Sequence, residues 1–250
     1  MGALGAWEFY RLARHLGIEA LDTIGITIAA AVPLYAALDR MGVLRSPAAI
    51  AAVVFLTVSG MALWARGVQG RPLEAVAATA FGAAYAGAML TFAYLLRHHR
   101  YVVTQGAGTV LLLYPVVLTW ASDIGAYFVG RALGKARLMP SVSPGKTRAG
   151  AWGALGLTVV VSLLWIRFAL RPVAQLALTP IMAVVFGLVV SVAAQVGDLF
   201  ESMLKREAGV KDSSHLLPGH GGILDRLDSL YFVLPVAYLI LGSLLIPSPA

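Results

Sequence analysis

The hydrophobic pattern divides the chain into seven long apolar runs separated by short polar stretches. The runs cover residues 21–38, 47–65, 73–96, 108–130, 151–170, 176–199 and 229–246. A helix needs about 20 largely apolar residues to cross a bilayer, and every run comes close to that length or exceeds it. The pattern therefore predicts an all-α protein, a polytopic integral membrane helical bundle with about seven transmembrane helices.

The residues before the first run have a different character. MGALGAWEFYRLARHLG carries aromatic and basic side chains and lacks the pattern of a cleavable signal. It predicts an interfacial amphipathic helix within residues 1–20. Because no long linker or clear internal repeat interrupts the chain, residues 1–250 are predicted to form a single membrane-embedded domain.

Composition agrees with a membrane protein. The chain is 59% hydrophobic and 12% charged, whereas soluble domains average about 45–50% and about 25%. The absence of cysteine excludes disulfides and thiolate metal sites. The net charge of +7 comes from cations in short loops between apolar runs, which favours membrane orientation and anionic phosphate groups over nucleic acid.

The distribution of Lys and Arg predicts the orientation. With seven spans, one side of the membrane receives the N-terminus and the loops near 66–72, 131–150 and 200–228, which hold thirteen of the nineteen cations. The positive-inside rule makes this side cytoplasmic.

Candidate chemistry begins in AQVGDLFESMLKR, where an apolar run becomes polar. In a helix, Gln195, Asp198, Ser202 and Lys205 lie at spacings of three, four and three, which puts them on one face. Asp198 follows a long apolar run, and a carboxylate inside a membrane is costly enough to indicate function. An ion pair with a basic residue of the cytoplasmic loops is the alternative explanation.

A second cluster lies in LLPGHGGILDRLD, residues 216–228. Its proline and glycines break any helix and let the backbone approach a ligand closely. Asp225 and Asp228 are predicted to share a face of the following helix, where carboxylates suit a hard cation. Acids are also favourable in any first helical turn, which is the simpler explanation. His215 and His220 are possible ligands, but the metal is assigned to the aspartates.

A third cluster combines SDIGAYFVGR with SPGKTRAG. Asp123 again interrupts an apolar run. Ser143 followed by proline predicts a helix cap, which would put Lys146 and Thr147 in the first turn, where free N–H groups favour a phosphate. Lys146 could also be a simple cytoplasmic anchor. A Walker A loop is excluded, because proline replaces its first glycine and no βαβ context exists.

Together the clusters supply acids for a divalent cation, cations for several phosphates and glycines for close approach. This set favours phosphoryl or nucleotidyl transfer at the membrane surface. No nucleophile–histidine–acid grouping typical of a hydrolase stands out.

The stretch from Ser202 to Asp228 resembles, position by position, the signature of the phosphatidate cytidylyltransferase (CDP-diacylglycerol synthase) family. SDIGAYFVGR, SPGKTRAG and the N-terminal AWEFYRL are similar to further regions of that family. The resemblance implies an enzyme that condenses CTP with phosphatidic acid and releases pyrophosphate. It also implies Mg²⁺ (Mn²⁺ is possible), a homodimer in the inner membrane, an active site facing the cytoplasm and no nucleic-acid partner.

The resemblance further implies roles for individual residues. The metal ligands would be Asp198 and Asp225. The catalytic residues would be Ser202, Lys205, Arg206, Lys211, Asp212 and Asp228. The substrate-binding residues would be Asp123, Ser143, Lys146, Thr147, His220, Gly221, Gly222 and Arg226.

Two departures from the family pattern matter. Gly145 and Ala149 replace its usual Lys and Glu, which weakens the expectation for that loop. The chain also begins almost at AWEFYRL, where relatives usually carry further apolar segments, so a shorter member or a late start is expected. Two other functions stay open: a CTP-dependent enzyme acting on another lipid phosphate, and a transporter whose acids form an ion pathway.

Overall fold

The computed structural model describes residues 1–102, 104–216, 219 and 221–247. Within these residues, seven helical segments are long and apolar enough to cross a membrane, as the hydropathy pattern predicts. The segments are Asp22–Arg40, Pro47–Arg66, Pro72–Arg97, Gln105–Leu133, Arg148–Ala174, Pro180–Glu207 and Leu224–Leu244. The protein is therefore an all-α, multi-pass membrane protein.

The segments are built from shorter elements. In chain order the helices are α1 (Gly2–His15), α2 (Asp22–Arg40), α3 (Pro47–Arg66), α4 (Pro72–Ala83), α5 (Met89–Arg97), α6 (Gln105–Leu133), α7 (Arg148–Trp165), α8 (Arg171–Ala174), α9 (Pro180–Glu207), α10 (Leu224–Leu227) and α11 (Leu230–Leu244). The π-helical turns Ala84–Ala88 and Ile166–Leu170 join α4 to α5 and α7 to α8. Antiparallel strands β1 (Arg137–Met139) and β2 (Ser143–Thr147) form a hairpin, and β3 (Leu176–Ala177) pairs with β4 (Ile246–Pro247).

The chain folds as two compact units. The first unit is formed by Met1–Tyr94 with Leu204–Leu227, and the second unit by Leu95–Met203 with Asp228–Ala250.

In the first unit, α1 packs against α2 and α4, which confirms a helix within residues 1–20. The Tyr10 hydroxyl donates to the Thr79 carbonyl at 2.8 Å, and the Leu21 N–H donates to Thr79 Oγ1 at 2.8 Å. Burial, with a smaller contribution from the charge of Asp22, raises the pKa of the Tyr10 phenol. The phenol therefore keeps its proton and stays a hydrogen-bond donor. Its bond to Thr79 fixes α1 to α4.

In the second unit, α6 and α7 pack closely along their length. A Cβ on Gly125 would lie 2.5 Å from the Gly153 carbonyl oxygen, so only glycine allows this approach. Buried hydroxyls connect α6 to its neighbours. Tyr114 Oη lies 2.6 Å from Ser162 Oγ on α7, and Ser122 Oγ lies 2.9 Å from Ser191 Oγ on α9.

The segment Ser143–Thr147 corrects one prediction. It forms strand β2 rather than a capped first helical turn, so Ser143 does not begin a helix. Helix α7 begins at Arg148, and its cap is Thr147, whose Oγ1 accepts from the Gly150 N–H at 3.1 Å. Two residues in this short segment are good N-caps, and the fixed φ of Pro144 is compatible with an extended strand, which leaves Thr147 as the cap.

The segment around Asp225 and Asp228 corrects a second prediction. Asp225 lies in the one-turn helix α10, whereas Asp228 lies in the turn before α11. The two acids therefore do not share one continuous helical face. The sequence does not distinguish the two cases, because Asp225 and Asp228 are three residues apart whether the helix continues or ends after Leu227.

Candidate active site

An open cavity of about 380 Å³ in the second unit brings together several of the predicted residues. Helix α6 contributes Asp123, helix α9 contributes Gln195 and Asp198, and the β1–β2 hairpin contributes Lys146 and Thr147 to its wall. Hydropathy alone predicts the helices, but the hairpin is needed to bring Lys146 to them. The volume lies within the usual range for small-molecule sites, about 300–1,000 Å³.

Asp198 is paired but accessible. Its Oδ2 lies 2.6 Å from Lys146 Nζ, and the two side chains are 33% and 25% exposed. Its Oδ1 accepts a long hydrogen bond of 3.4 Å from Ser202 Oγ, one helical turn further along α9. Ser202 therefore shares a helix face with Asp198, as predicted, and the ion pair that was the alternative explanation for Asp198 is also present.

Two arginines that sequence reasoning did not single out also line this cavity. Arg131 is the last residue of the SDIGAYFVGR segment on α6 and donates to Tyr127 Oη at 2.9 Å. Arg137 on β1 donates to the Gly145 carbonyl at 3.4 Å. With Lys146, the wall carries three cations and two carboxylates, so it is suited to an anionic ligand. Both arginines belong to the cation-rich loop near 131–150, and this excess of positive charge was the available signal.

In the first unit, the surroundings of Asp225 are different. Its Oδ2 accepts three hydrogen bonds: from Ser213 N at 3.0 Å, from Ser213 Oγ at 2.9 Å and from Gly222 N at 2.7 Å. Its Oδ1 lies 2.6 Å from Lys205 Nζ. The Asp225 and Lys205 side chains are only 11% and 13% exposed, so the protein itself fills most of the space around this carboxylate.

Glu8 on α1 is the second feature that sequence reasoning missed. It is completely buried and accepts hydrogen bonds from two hydroxyls and two backbone N–H groups of residues 213–224. The signal was its position, because Gly5, Glu8 and Leu12 lie on the buried face of the helix. An acid on the apolar face of an amphipathic helix needs buried donors.

The remaining predicted residues of the first unit lie at or near the surface. Arg206, Lys211, Asp212 and Arg226 are exposed, and Arg206 donates to the Val210 carbonyl at 3.2 Å. Gly221 has a φ of +76°, which favours glycine. His220 lies outside the described residues.

In the second unit, Ser143 and Asp228 are half-buried. Neither lines the cavity that Asp198 and Lys146 share.

The donor set of the cavity fits a magnesium ion. Among the described residues, no group of three or more His, Cys, Asp or Glu side chains could hold a metal by itself. Asp123 and Asp198 do line the same open cavity. Mg²⁺ is typically held by one or two carboxylates together with substrate phosphates and water, so two acids are enough.

Comparison with known proteins gives consistent matches. Residues 1–244 match the family model described as the cytidylyltransferase family. A phosphatidate cytidylyltransferase of Bacillus subtilis is 45% identical over 135 residues, which are 54% of this chain and 48% of the relative. One of Haemophilus influenzae is 48% identical over 141 residues, 56% of this chain and 48% of the relative. The chain therefore spans about half the length of the curated relatives it matches.

Proposed function

This chain belongs to the cytidylyltransferase family, and we propose that it transfers a cytidylyl group from CTP to phosphatidic acid. The products would be CDP-diacylglycerol and pyrophosphate. The observation that carries this proposal is the cavity of the second unit, where three cations and two carboxylates surround a space of about 380 Å³ within a membrane protein. Such a wall suits a triphosphate and its divalent cation.

The cations of the cavity wall would bind the phosphates of CTP. Lys146 is the main candidate, because its contact with Asp198 is partly exposed and such pairs contribute about 0–1 kcal/mol. Exchange of the carboxylate for a phosphate oxygen would therefore cost little. Arg131 and Arg137 would bind further oxygens of the same anion.

Asp198 and Asp123 would hold Mg²⁺ (or Mn²⁺) in this cavity. The bound metal would supply positive charge that stabilises the pyrophosphate as it leaves. The further prediction that Asp225 binds metal stays a prediction. Its Oδ2 already accepts three hydrogen bonds, so Oδ1, which contacts Lys205, is the atom that would bind.

We propose direct transfer. A phosphate oxygen of phosphatidic acid attacks the α-phosphorus of CTP, the new P–O bond forms, and the bond to the bridging oxygen breaks to release pyrophosphate. The nucleophile is already anionic at neutral pH, so the basic side chains need only offset the repulsion between the two substrates. Ser202, which donates to Asp198, is the rival candidate for a covalent cytidylyl intermediate.

Stereochemistry separates these two routes. With a chiral α-thio-CTP, one in-line displacement inverts the configuration at the α-phosphorus, whereas two displacements restore it. Direct transfer predicts inversion. Net retention would contradict it and would make Ser202 the nucleophile to test.

The substrate assignment is tested by turnover of CTP by purified protein in detergent, with Mg²⁺ and a panel of lipids. We expect CDP-lipid to form with phosphatidic acid, and none with diacylglycerol, which lacks the phosphate nucleophile. Turnover with a polyprenyl phosphate but not with phosphatidic acid would instead favour the alternative lipid substrate.

We also propose that the protein is a homodimer in the inner membrane. The cavity would face the cytoplasmic side of that membrane. The excess of cations in the loops near 131–150 and 200–228 supports this orientation. Single cysteines in these loops can be tested with an impermeant thiol reagent, because the native chain has no cysteine. Labelling of either loop from outside intact cells would overturn the orientation.

A further inference from the structure

The Glu8 carboxylate accepts hydrogen bonds from residues that lie more than 200 positions away in the sequence. Its Oε1 accepts from Ser214 Oγ at 2.6 Å and from Ile223 N at 3.0 Å. Its Oε2 accepts from Ser213 Oγ at 3.0 Å and from Leu224 N at 2.6 Å. All four donors are neutral and come from residues 213–224, so a buried charge depends on the conformation of this one segment.

Ser213 connects Glu8 to the predicted functional acid. Its Oγ lies 3.0 Å from Glu8 Oε2 and 2.9 Å from Asp225 Oδ2, so the two carboxylates share the single proton of this hydroxyl. The backbone N–H of the same residue also donates to Asp225 Oδ2 at 3.0 Å. Any movement of Ser213 away from Glu8 therefore changes the donors of Asp225 directly.

The packing around this connection is tight. A Cβ on Gly222 would lie 2.2 Å from Ser213 Oγ and 2.5 Å from each Glu8 carboxylate oxygen. The N–H of Gly222 donates to Asp225 Oδ2 at 2.7 Å. Packing alone therefore explains why residue 222 is glycine. The absence of a side chain lets the Glu8 carboxylate come close to the donors of Asp225.

We propose that Glu8 is a positioning residue that acts on Asp225 through Ser213. By holding Ser213, Ser214, Ile223 and Leu224, Glu8 keeps the backbone N–H and the hydroxyl of Ser213 beside Asp225 Oδ2. Its other oxygen, Oδ1, lies 2.6 Å from Lys205 Nζ, so the orientation that Glu8 sets also determines where Oδ1 meets a cation. The inference rests on the proposed function and on the further prediction that Asp225 takes part in the reaction.

The matched pair Ser213→Ala and Ser214→Ala tests this proposal. Each variant removes one hydroxyl donor of Glu8, but only Ser213 also contacts Asp225. We expect Ser213→Ala to lower kcat about 10- to 100-fold, the usual cost of losing a partner that orients a functional ligand. The KM for CTP should change little, and Ser214→Ala should stay within about twofold of the wild type.

Glu8→Gln completes the activity series. The amide keeps the shape of the side chain, but its NH₂ group faces one hydroxyl and one backbone N–H in place of an acceptor oxygen. The hydroxyl can rotate to accept from the NH₂ group, whereas the backbone N–H cannot. Its kcat should fall at least as far as that of Ser213→Ala. A wild-type kcat in either Glu8→Gln or Ser213→Ala, measured on folded protein, would overturn the proposal.

A second measurement does not depend on activity. Thermal unfolding of Ser213→Ala, Asp225→Asn and the double variant should show coupling, because the two side chains share a hydrogen bond. The double variant should therefore lose less stability than the two single losses added together, whereas Ser214→Ala and Asp225→Asn should be additive. Additive losses for Ser213 and Asp225 would overturn the link between them, even if no lipid substrate supports turnover.

Discussion

The family resemblance implies the same metal-binding role for Asp225 and Asp198, but the structure gives the two acids different surroundings. In the first unit, Asp225 Oδ2 accepts three hydrogen bonds and the side chain is 11% exposed. In the second unit, Asp198 has one ion pair and one long hydrogen bond at the edge of an open cavity. A carboxylate with several fixed donors is held in one orientation, whereas one with a single exchangeable partner can give up that partner to a ligand.

The difference is energetic as well as geometric. Breaking the Asp225 set leaves buried backbone N–H groups without an acceptor, at about 1–3 kcal/mol each. The Asp198–Lys146 pair is a quarter to a third exposed, and such pairs contribute about 1 kcal/mol or less. The second unit can therefore give up its ion pair when a ligand arrives, and the first unit cannot easily give up its hydrogen bonds.

The largest expected effect separates the two acids by activity and stability. Asp198→Asn should lower turnover about 100- to 1,000-fold, because it removes charge from the cavity, while changing Tm by less than about 2 °C. Asp225→Asn should instead lower Tm by roughly 3–10 °C, because its single oxygen can face either the three Oδ2 donors or Lys205, and the NH₂ group then faces the other donors. Turnover and thermal unfolding in the same detergent measure both. Equal Tm losses for the two variants would erase the contrast.

Two glycines sharpen the contrast in packing. Gly222→Ala should lower Tm by roughly 3–10 °C, because the new methyl would overlap Ser213 Oγ and both Glu8 oxygens. Gly145→Ala is the matched control, since no atom lies within 4 Å of its added Cβ. It should leave Tm nearly unchanged. A stable Gly222→Ala would show that the first unit has more room than its contacts indicate.

The lysine partners of the two acids should show the same contrast between activity and stability, with smaller changes. Lys146→Gln should raise the KM for CTP about 10-fold through loss of a charge-assisted bond to phosphate, with little change in Tm. Lys205→Gln should lower Tm by roughly 2–6 °C, because it replaces the charged partner of a nearly buried carboxylate by a neutral donor. Steady-state kinetics and unfolding curves check the pair. The reverse pattern would exchange the roles given to the two units.

The smallest expected loss of stability comes from breaking an exposed ion pair of the first unit, Arg14–Asp22. Arg14 Nη1 lies 3.2 Å from Asp22 Oδ2, and the Arg14 side chain is 52% exposed. Arg14→Gln should cost about 1 kcal/mol or less, and the difference should shrink further in high salt. If its Tm loss matches that of Lys205→Gln, burial does not distinguish these ion pairs.

Hydropathy predicts the fold well because a bilayer requires long apolar helices, and all seven spans follow from this requirement. Local polar structure is harder to predict. Ser143 and Thr147 are both good helix caps, and only the pairing of Ser143 with Met139 at the start of β2 excludes the first. Glu8 was missed because its four donors lie more than 200 residues away in sequence. Such long-range pairing leaves almost no local pattern.

The central claim is that CTP and its metal bind in the cavity beside Asp198. A structure of the protein with Mn²⁺ and a non-hydrolysable CTP analogue tests it most directly, because the anomalous signal of Mn²⁺ locates the metal independently of the nucleotide. We expect a Mn²⁺ peak within bonding distance of the Asp198 carboxylate, with Lys146 Nζ moved from that carboxylate to a phosphate oxygen. A bound nucleotide and Mn²⁺ elsewhere, with the 2.6 Å Asp198–Lys146 pair intact, would contradict it.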